Sequence, residues 1–79
     1  MTARAFVLIE TVVGKTREVV DGLRQIEGIK SVDTVTGPYD VIVIVEAETL
    51  SEIGDLVTGK IHPVSGVSRT VTCLAIRAV

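Results

Sequence analysis

The sequence predicts a single α+β domain over residues 1–79, built from two successive β-α-β units, and two internal repeats carry this prediction. FVLIET at residues 6–11 recurs as IVIVEA at residues 42–47, an offset of 42 − 6 = 36 residues. GIKSVDTVT at residues 28–36 is echoed by GVSRTVT at residues 66–72, an offset of 66 − 28 = 38 residues. Each half is therefore expected to contain an apolar strand, an amphipathic segment and a second strand that begins at glycine.

The first half predicts a strand, a helix and a second strand. Residues 3–12 are mostly apolar and contain no breaker, as is typical of a strand. A helix is expected over residues 15–26, with Thr16 as its cap and Gly28 as its stop signal. Its apolar residues recur at helical spacing: Val19, Val20, Leu23 and Ile26. Residues 29–36 form the second predicted strand.

The second half repeats this order. Residues 40–47 are a strand with VIVIV at its centre. Thr49 and Glu52 have the spacing of a capping box, in which the side chain of each residue accepts a hydrogen bond from the backbone N–H of the other. The helix that follows has one apolar face: Ile53, Leu56, Val57 and Ile61. Pro63 is expected to end it, and residues 67–79 form the last predicted strand.

The order β-α-β-β-α-β with right-handed crossovers predicts a ferredoxin-like plait. This is a four-stranded antiparallel sheet with two helices on one face and the first and third strands at its centre. Both faces of the third strand are apolar: Val41, Val43 and Val45 point one way, Ile42 and Ile44 the other. Because helices cover one face only, we expect the second face to be buried against another copy of the chain.

Composition narrows the class of function. The chain is 47% hydrophobic, contains two aromatic residues and one cysteine, and has a formal net charge of −2. The absence of a basic cluster and of aromatic interleaving argues against direct nucleic-acid binding. The apolar run near the N-terminus is short and is interrupted by Glu10, which argues against a membrane span or a signal peptide. A cytoplasmic protein is expected.

Residues suited to catalysis are few. His62 is the only histidine and is interpreted as a helix-end residue, and Cys73 as a small core residue of the last strand. Glu10 and Glu46 occupy equivalent positions of the repeat and are interpreted as strand-end charges facing water. These residues match no metal-ligand or nucleophile pattern, so no catalytic residue, metal or cofactor is predicted.

Two polar segments are candidates for a binding site. In TGPYD, Gly37 frees the backbone, Tyr39 offers a flat wall with a hydroxyl, and Asp40 offers a carboxylate. Alternation along the last strand places three hydroxyls on one face: Ser68, Thr70 and Thr72. Together they could hold the ammonium and carboxylate of a small zwitterion. The alternatives are an ordinary hairpin turn and β-propensity on a solvated face.

The same segments carry a resemblance to a known family. TGPYDVIVIVEA and the closing GVSRTVTCLAI resemble the effector-binding domain of the Lrp/AsnC, or feast/famine, regulators, and the resemblance covers essentially the whole chain. Because the helix-turn-helix of that family precedes this domain and is not in the sequence, the resemblance implies a stand-alone amino-acid sensor that does not bind DNA directly.

The resemblance also implies an assembly and a site. Family members form dimers through their sheets, and the dimers form rings that are typically octamers or decamers. Amino acids bind between dimers, near the loop before the third strand. Transferred to this sequence, the ligand-binding residues are Gly37, Tyr39, Asp40, Ser68, Thr70 and Thr72. A partnership with a full-length Lrp/AsnC-type regulator would give the chain an indirect role in transcription.

Two other classes share the predicted fold. One is a small dimeric α+β-barrel enzyme of the monooxygenase or isomerase type, which usually carries a His, Asn or aromatic cluster in its pocket. The other is an ACT-like regulatory domain or a structural oligomer without a ligand. ACT domains usually have a glycine-rich turn after the first strand, and Gly14 is only a partial match to it.

Overall fold

A computed structural model describes residues 2–76. Its elements, in chain order, are β1 (Ala3–Thr11), α1 (Thr16–Leu23), β2 (Ile29–Thr34), β3 (Val41–Ala47), α2 (Leu50–Leu56), a π-helical turn (Val57–Ile61) and β4 (Val67–Leu74). The predicted order of elements is confirmed. The final residues of the last predicted strand, 77–79, lie outside the described residues.

The four strands form one antiparallel sheet in the order β2-β3-β1-β4. The first and third strands are therefore central, as the crossover argument predicts, and the ferredoxin-like plait is confirmed. Val7 faces Val43 on β3 and Thr72 on β4, so these three residues share one face of the sheet. That register decides which polar side chains of the edge strand β4 lie on the same side as the helices.

The helices pack on one face of the sheet and form an aliphatic core there, which we call the helix-covered face. All residues with less than a tenth of their surface exposed belong to this core: Ala5, Val7, Ile9, Val19, Val20, Leu23, Val41, Val43, Val45, Ile53, Val57 and Ile61. Within residues 2–76 no polar residue is buried to that degree. Hydrophobic burial on this single face therefore holds the domain together.

The other face of the sheet carries no helix, and we call it the open face. Phe6 pairs with Ile44 and Leu8 with Ile42 across the two central strands, and these side chains remain partly exposed. Ion pairs flank them at both ends: Arg4 Nε lies 3.6 Å from Glu46 Oε2, and Arg69 Nη1 lies 3.6 Å from Glu10 Oε2. The open face thus has an apolar centre between charged rims.

One sequence interpretation about this face needs revision. Cys73 pairs with Phe6 on the open face and is exposed, so its interpretation as a core residue is wrong. Glu10 and Glu46, interpreted as strand-end charges, lie at opposite ends of the sheet because β1 and β3 run antiparallel. Each carboxylate pairs with an arginine instead.

The helix ends differ in how well the sequence predicts them. Thr49 and Glu52 form the predicted capping box, in which Glu52 N–H donates to Thr49 Oγ1 at 3.1 Å and Thr49 N–H to Glu52 Oε1 at 3.2 Å. Thr16 does not cap α1; its hydroxyl lies 2.8 Å from the hydroxyl of Thr11 instead. The first helix also ends earlier than predicted, at Leu23, and the chain after it forms hydrogen-bonded turns.

The position before β4 requires a glycine, Gly66, both for its backbone conformation and because a side chain would not fit. Its φ is +97°, a region that side-chain-bearing residues rarely adopt. A Cβ placed there would lie 2.9 Å from both Lys15 Cβ and Val19 Cγ2. The glycine therefore lets the start of the edge strand pass directly against α1.

Candidate ligand-binding site

The Asp40 side chain is hydrogen-bonded to the last residue of β1. Its Oδ2 accepts from the Thr11 N–H at 2.8 Å and from the Thr11 hydroxyl at 3.2 Å. Its own N–H donates to Ile9 O at 2.9 Å. Within residues 2–76 no hydrogen bond engages Oδ1. One carboxylate oxygen thus has a structural role within the chain.

The loop that carries Asp40 also carries Gly37 and Tyr39. Gly37 is exposed, has a φ of +135°, and a Cβ placed on it would meet nothing within 4 Å. Tyr39 is half-buried. The glycine is thus needed for the backbone path of the loop rather than for close packing within the chain.

The hydroxyls of β4 lie in a different place. Thr70 faces Ile9 and Thr72 faces Val7, so both point to the helix-covered face at the edge of the sheet. There they line a cavity of about 500 Å³, which we call the edge cavity. It lies between β4 and the second helical segment, which consists of α2 and the π-helical turn. Among the described residues its lining is Leu50, Ile53, Gly54, Val57, Thr58, His62, Thr70, Thr72 and Leu74. The edge cavity has a polar end and an apolar wall.

His62 belongs to this cavity, although sequence reasoning treats it only as a helix-end residue. Its Nε2 lies 2.7 Å from Thr70 Oγ1. The π-helical turn brings it there, because the His62 N–H bonds to Val57 O at 2.8 Å, across five residues instead of four. π-Helical turns are frequent at functional sites. The only signal in the sequence is a histidine placed just before a strand with alternating hydroxyls.

Ser68 is separated from the other two hydroxyls by an irregularity in the sheet. The pairing with β1 shifts between Glu10 and Thr11, so that Arg69 faces Glu10 and Val67 faces Thr11, while Ser68 has no partner in the register. Ser68 is exposed and lines an adjoining cavity of about 350 Å³ with His62 and Thr70. The register thus places Thr70 and Thr72 on one face, whereas Ser68 lies at the irregularity and shares the adjoining cavity with Thr70.

The predicted site residues thus form two groups within one chain. Gly37, Tyr39 and Asp40 lie in the loop between β2 and β3, whereas Thr70 and Thr72 lie on β4, two strands away from β3. Neighbouring strands are about 4.8 Å apart, so the groups are separated by roughly 10 Å across the sheet. None of the three loop residues lines the edge cavity.

Within residues 2–76 there is no group of three or more His, Cys, Asp or Glu side chains placed to hold a metal ion. No helix in that range is both long and apolar enough to cross a membrane.

Comparison with known proteins identifies the family. The family model for the Lrp/AsnC ligand binding domain matches residues 4–79, so this chain belongs to that family. An uncharacterized HTH-type transcriptional regulator of Pyrococcus horikoshii, PH1916, is 36% identical over 59 residues, which are 75% of this chain and 39% of the relative. The chain therefore spans well under half the length of that regulator.

Solved structures agree in fold. The crystal structure of TTHA0845 from Thermus thermophilus has a TM-score of 0.90 and 35% identity, covering 98% of this chain and 96% of that one. Two more distant structures are complexes with L-methionine. The Neisseria meningitidis regulator NMB0573 has 14% identity, a TM-score of 0.86 and coverage of 98% of this chain and 51% of its own. A feast or famine regulatory protein of M. tuberculosis has 23% identity and a TM-score of 0.79, and the match covers 96% of this chain and 51% of that one.

Proposed function

We propose that this chain is an amino-acid-binding regulatory domain that acts without catalysis, by coupling ligand binding to self-assembly. Its family consists of ligand-binding domains, and its relatives are transcriptional regulators. The observation that carries the proposal is the edge cavity, where the hydroxyls of Thr70 and Thr72 stand beside an aliphatic wall. Such a cavity suits a small molecule with a polar head and an apolar body.

The open face supports assembly of two copies through their sheets. An apolar centre flanked at each end by an Arg–Glu pair can be self-complementary under a two-fold axis, because each end carries both a cation and an anion. Burial of the partly exposed Phe6, Leu8, Ile42 and Ile44 supplies the driving force. Dimers then assemble into a ring, an octamer or a decamer.

The separation of the two polar groups supports a site shared between copies. Asp40 does not line the edge cavity of its own chain, and its Oδ1 is not engaged within residues 2–76. In our proposal, the loop of one copy presents Gly37, Tyr39 and Asp40 to the edge cavity of another. The ligand ammonium then meets Asp40, and its carboxylate meets the β4 hydroxyls. A ligand held in this way stabilises the assembly that contains the complete site.

The output of the domain is proposed to be indirect. A ring that incorporates a full-length Lrp/AsnC-type regulator would transmit the occupancy of the amino-acid site to that regulator's DNA-binding module. Copurification of such a regulator with the tagged chain supports this step, and its absence from purifications made with and without amino acids contradicts it.

Mutations on β4 and on the open face test the proposal. Thr70→Val removes a hydroxyl with little change of shape, and we expect calorimetry to show weaker amino-acid binding. Thr34→Val, at an exposed strand end, is expected to leave the affinity unchanged. Ile44→Asp is expected to lower the mass measured by light scattering, while Val13→Asp, at a 97% exposed loop position, leaves it unchanged. Unchanged affinity in Thr70→Val excludes the edge cavity, and unchanged mass in Ile44→Asp excludes the open face as the interface.

A further inference from the structure

The edge cavity is specific enough to indicate which class of amino acid it accepts. Its polar residues are Thr70 and Thr72 on β4, His62 directly after the π-helical turn, and Thr58 within that turn, and its remaining wall is largely aliphatic. Among the described lining residues there is no Asp, Glu, Lys or Arg. Leu50 and Leu74 add exposed apolar surface, being 59% and 48% accessible. The volume of about 500 Å³ falls within the roughly 300–1,000 Å³ of small-molecule sites.

We infer that the edge cavity selects an amino acid with an uncharged aliphatic side chain, of about the size of leucine or methionine, and that His62 is a specificity-determining residue that fixes its carboxylate. This inference rests on the proposed amino-acid-binding function and adds the ligand class and a residue to it. A charged side chain would have to enter an aliphatic wall without a counter-charge, which is strongly unfavourable.

The contact between His62 and Thr70 explains how the cavity distinguishes a carboxylate. A threonine hydroxyl has one hydrogen to donate. When His62 Nε2 carries a proton it donates to Thr70 Oγ1 across their 2.7 Å contact, and the hydroxyl hydrogen of Thr70 is then directed to an acceptor in the cavity. In this tautomer the pair presents a donor to an incoming carboxylate oxygen.

Gly54 leaves room for a ligand side chain in the apolar part of the edge cavity. A Cβ built on Gly54 meets nothing within 4 Å, and this glycine lines the edge cavity. Its carbonyl accepts from the Thr58 hydroxyl at 2.9 Å, which keeps that hydroxyl turned to the helix backbone. A larger side chain at position 54 therefore occupies space that the ligand side chain would use, without disturbing the core.

Gly59 provides a matched control for Gly54. It is also an exposed glycine of the second helical segment, its Cβ would also meet nothing within 4 Å, and it does not line the edge cavity. Gly54→Leu, in α2, and Gly59→Leu, in the π-helical turn, each replace an exposed glycine and differ in the volume left in the cavity.

The first experiment is calorimetric titration of the intact chain with leucine, isoleucine, methionine, glycine, aspartate and lysine. We expect an aliphatic amino acid to bind best, Gly54→Leu to lose at least tenfold in affinity for it, and Gly59→Leu to keep wild-type affinity. Preferred binding of aspartate or lysine, or equal affinities in the two leucine variants, overturns the ligand class while leaving the proposed function in place. Binding of no amino acid refutes the proposed function and the inference together.

The second experiment tests His62 with 4-methylpentanoate, which is leucine without its ammonium group, and 3-methylbutylamine, which lacks the carboxylate. The acid keeps the carboxylate that His62 is proposed to fix, whereas the amine keeps only the ammonium proposed to meet Asp40, so a change at His62 is expected to affect the acid and not the amine. His62→Ala is expected to lose roughly tenfold for the acid, as for one hydrogen bond to a charged group, and His62→Gln to lose less. Wild-type affinity for the acid in His62→Ala, or an equal loss of affinity for the acid and the amine, overturns the role of His62. Thermal unfolding of each variant separates this effect from a loss of fold.

Discussion

Substitution of Asp40 separates the structural role of its carboxylate from its proposed role in binding. Asp40→Ala removes the acceptor of the Thr11 N–H and of the Thr11 hydroxyl. Asp40→Asn keeps an oxygen that can accept both bonds but removes the charge. We expect the alanine variant to lose stability and amino-acid binding, and the asparagine variant to lose binding while keeping much of its stability.

The size of the effect follows from the hydrogen bonds. A bond to a charged group contributes about 1.5–3 kcal/mol, and the bond from the Thr11 N–H is 2.8 Å long and partly buried. The second bond, at 3.2 Å, is longer and adds less. We expect Asp40→Ala to lower the free energy of unfolding by about 2–3 kcal/mol. For a domain of this size, that corresponds to a fall in Tm on the order of 10–20 °C.

The assay is thermal and urea unfolding of the wild-type chain, both Asp40 variants, Thr11→Val and the double variant Asp40→Ala/Thr11→Val at equal protein concentration. Thr11→Val keeps the backbone N–H and removes only the hydroxyl, so the double-mutant cycle isolates the hydroxyl bond. A Tm for Asp40→Ala within about 2 °C of wild type would refute the structural role. Full amino-acid affinity in Asp40→Asn would remove the carboxylate from the proposed site.

Three further predictions concern the fold. Gly66→Ala is expected to destabilise the chain more than Gly14→Ala, since both glycines have positive φ but only Gly66 leaves no room for a Cβ; equal losses in urea unfolding contradict this. Thr49→Ala is expected to cost about 1 kcal/mol in the same assay and Thr49→Ser much less, because serine keeps the cap; an unchanged midpoint for Thr49→Ala shows that the capping box contributes nothing. Val43→Ala, at a fully buried position, is expected to cost about 2–3 kcal/mol through lost burial and a cavity, and a loss below about 0.5 kcal/mol would place Val43 outside the core.

Local sequence signals predict most of the fold because they act within a few residues. The capping box needs only Thr49 and Glu52, and the order of strands follows from repeats and crossover handedness. The helix ends are less predictable where a distant residue competes. Thr16 has the residue type of a cap, yet its hydroxyl meets Thr11, at the end of the preceding strand.

The candidate site is harder to predict because its contacts are non-local. The bond between Asp40 and Thr11 joins positions 29 apart, so a carboxylate chosen as a ligand group is also a structural acceptor. Alternation correctly places Thr70 and Thr72 on one face, but it does not predict the irregular register at the start of β4, where Ser68 lies. The contact between His62 and Thr70 depends on the π-helical turn, for which the sequence gives no recognisable signal.

Calorimetric titration of the wild-type chain with all twenty amino acids, paired with light scattering of the same samples, tests directly whether this domain binds an amino acid. We expect saturable binding of at least one aliphatic amino acid, together with a change in solution mass or thermal stability. At a ligand concentration about 100 times Kd, binding would stabilise the folded chain by about 2.7 kcal/mol. Absence of binding for every amino acid at about 10 mM, a concentration above the usual range of KM values for small substrates, in a chain shown to be folded, would contradict the account.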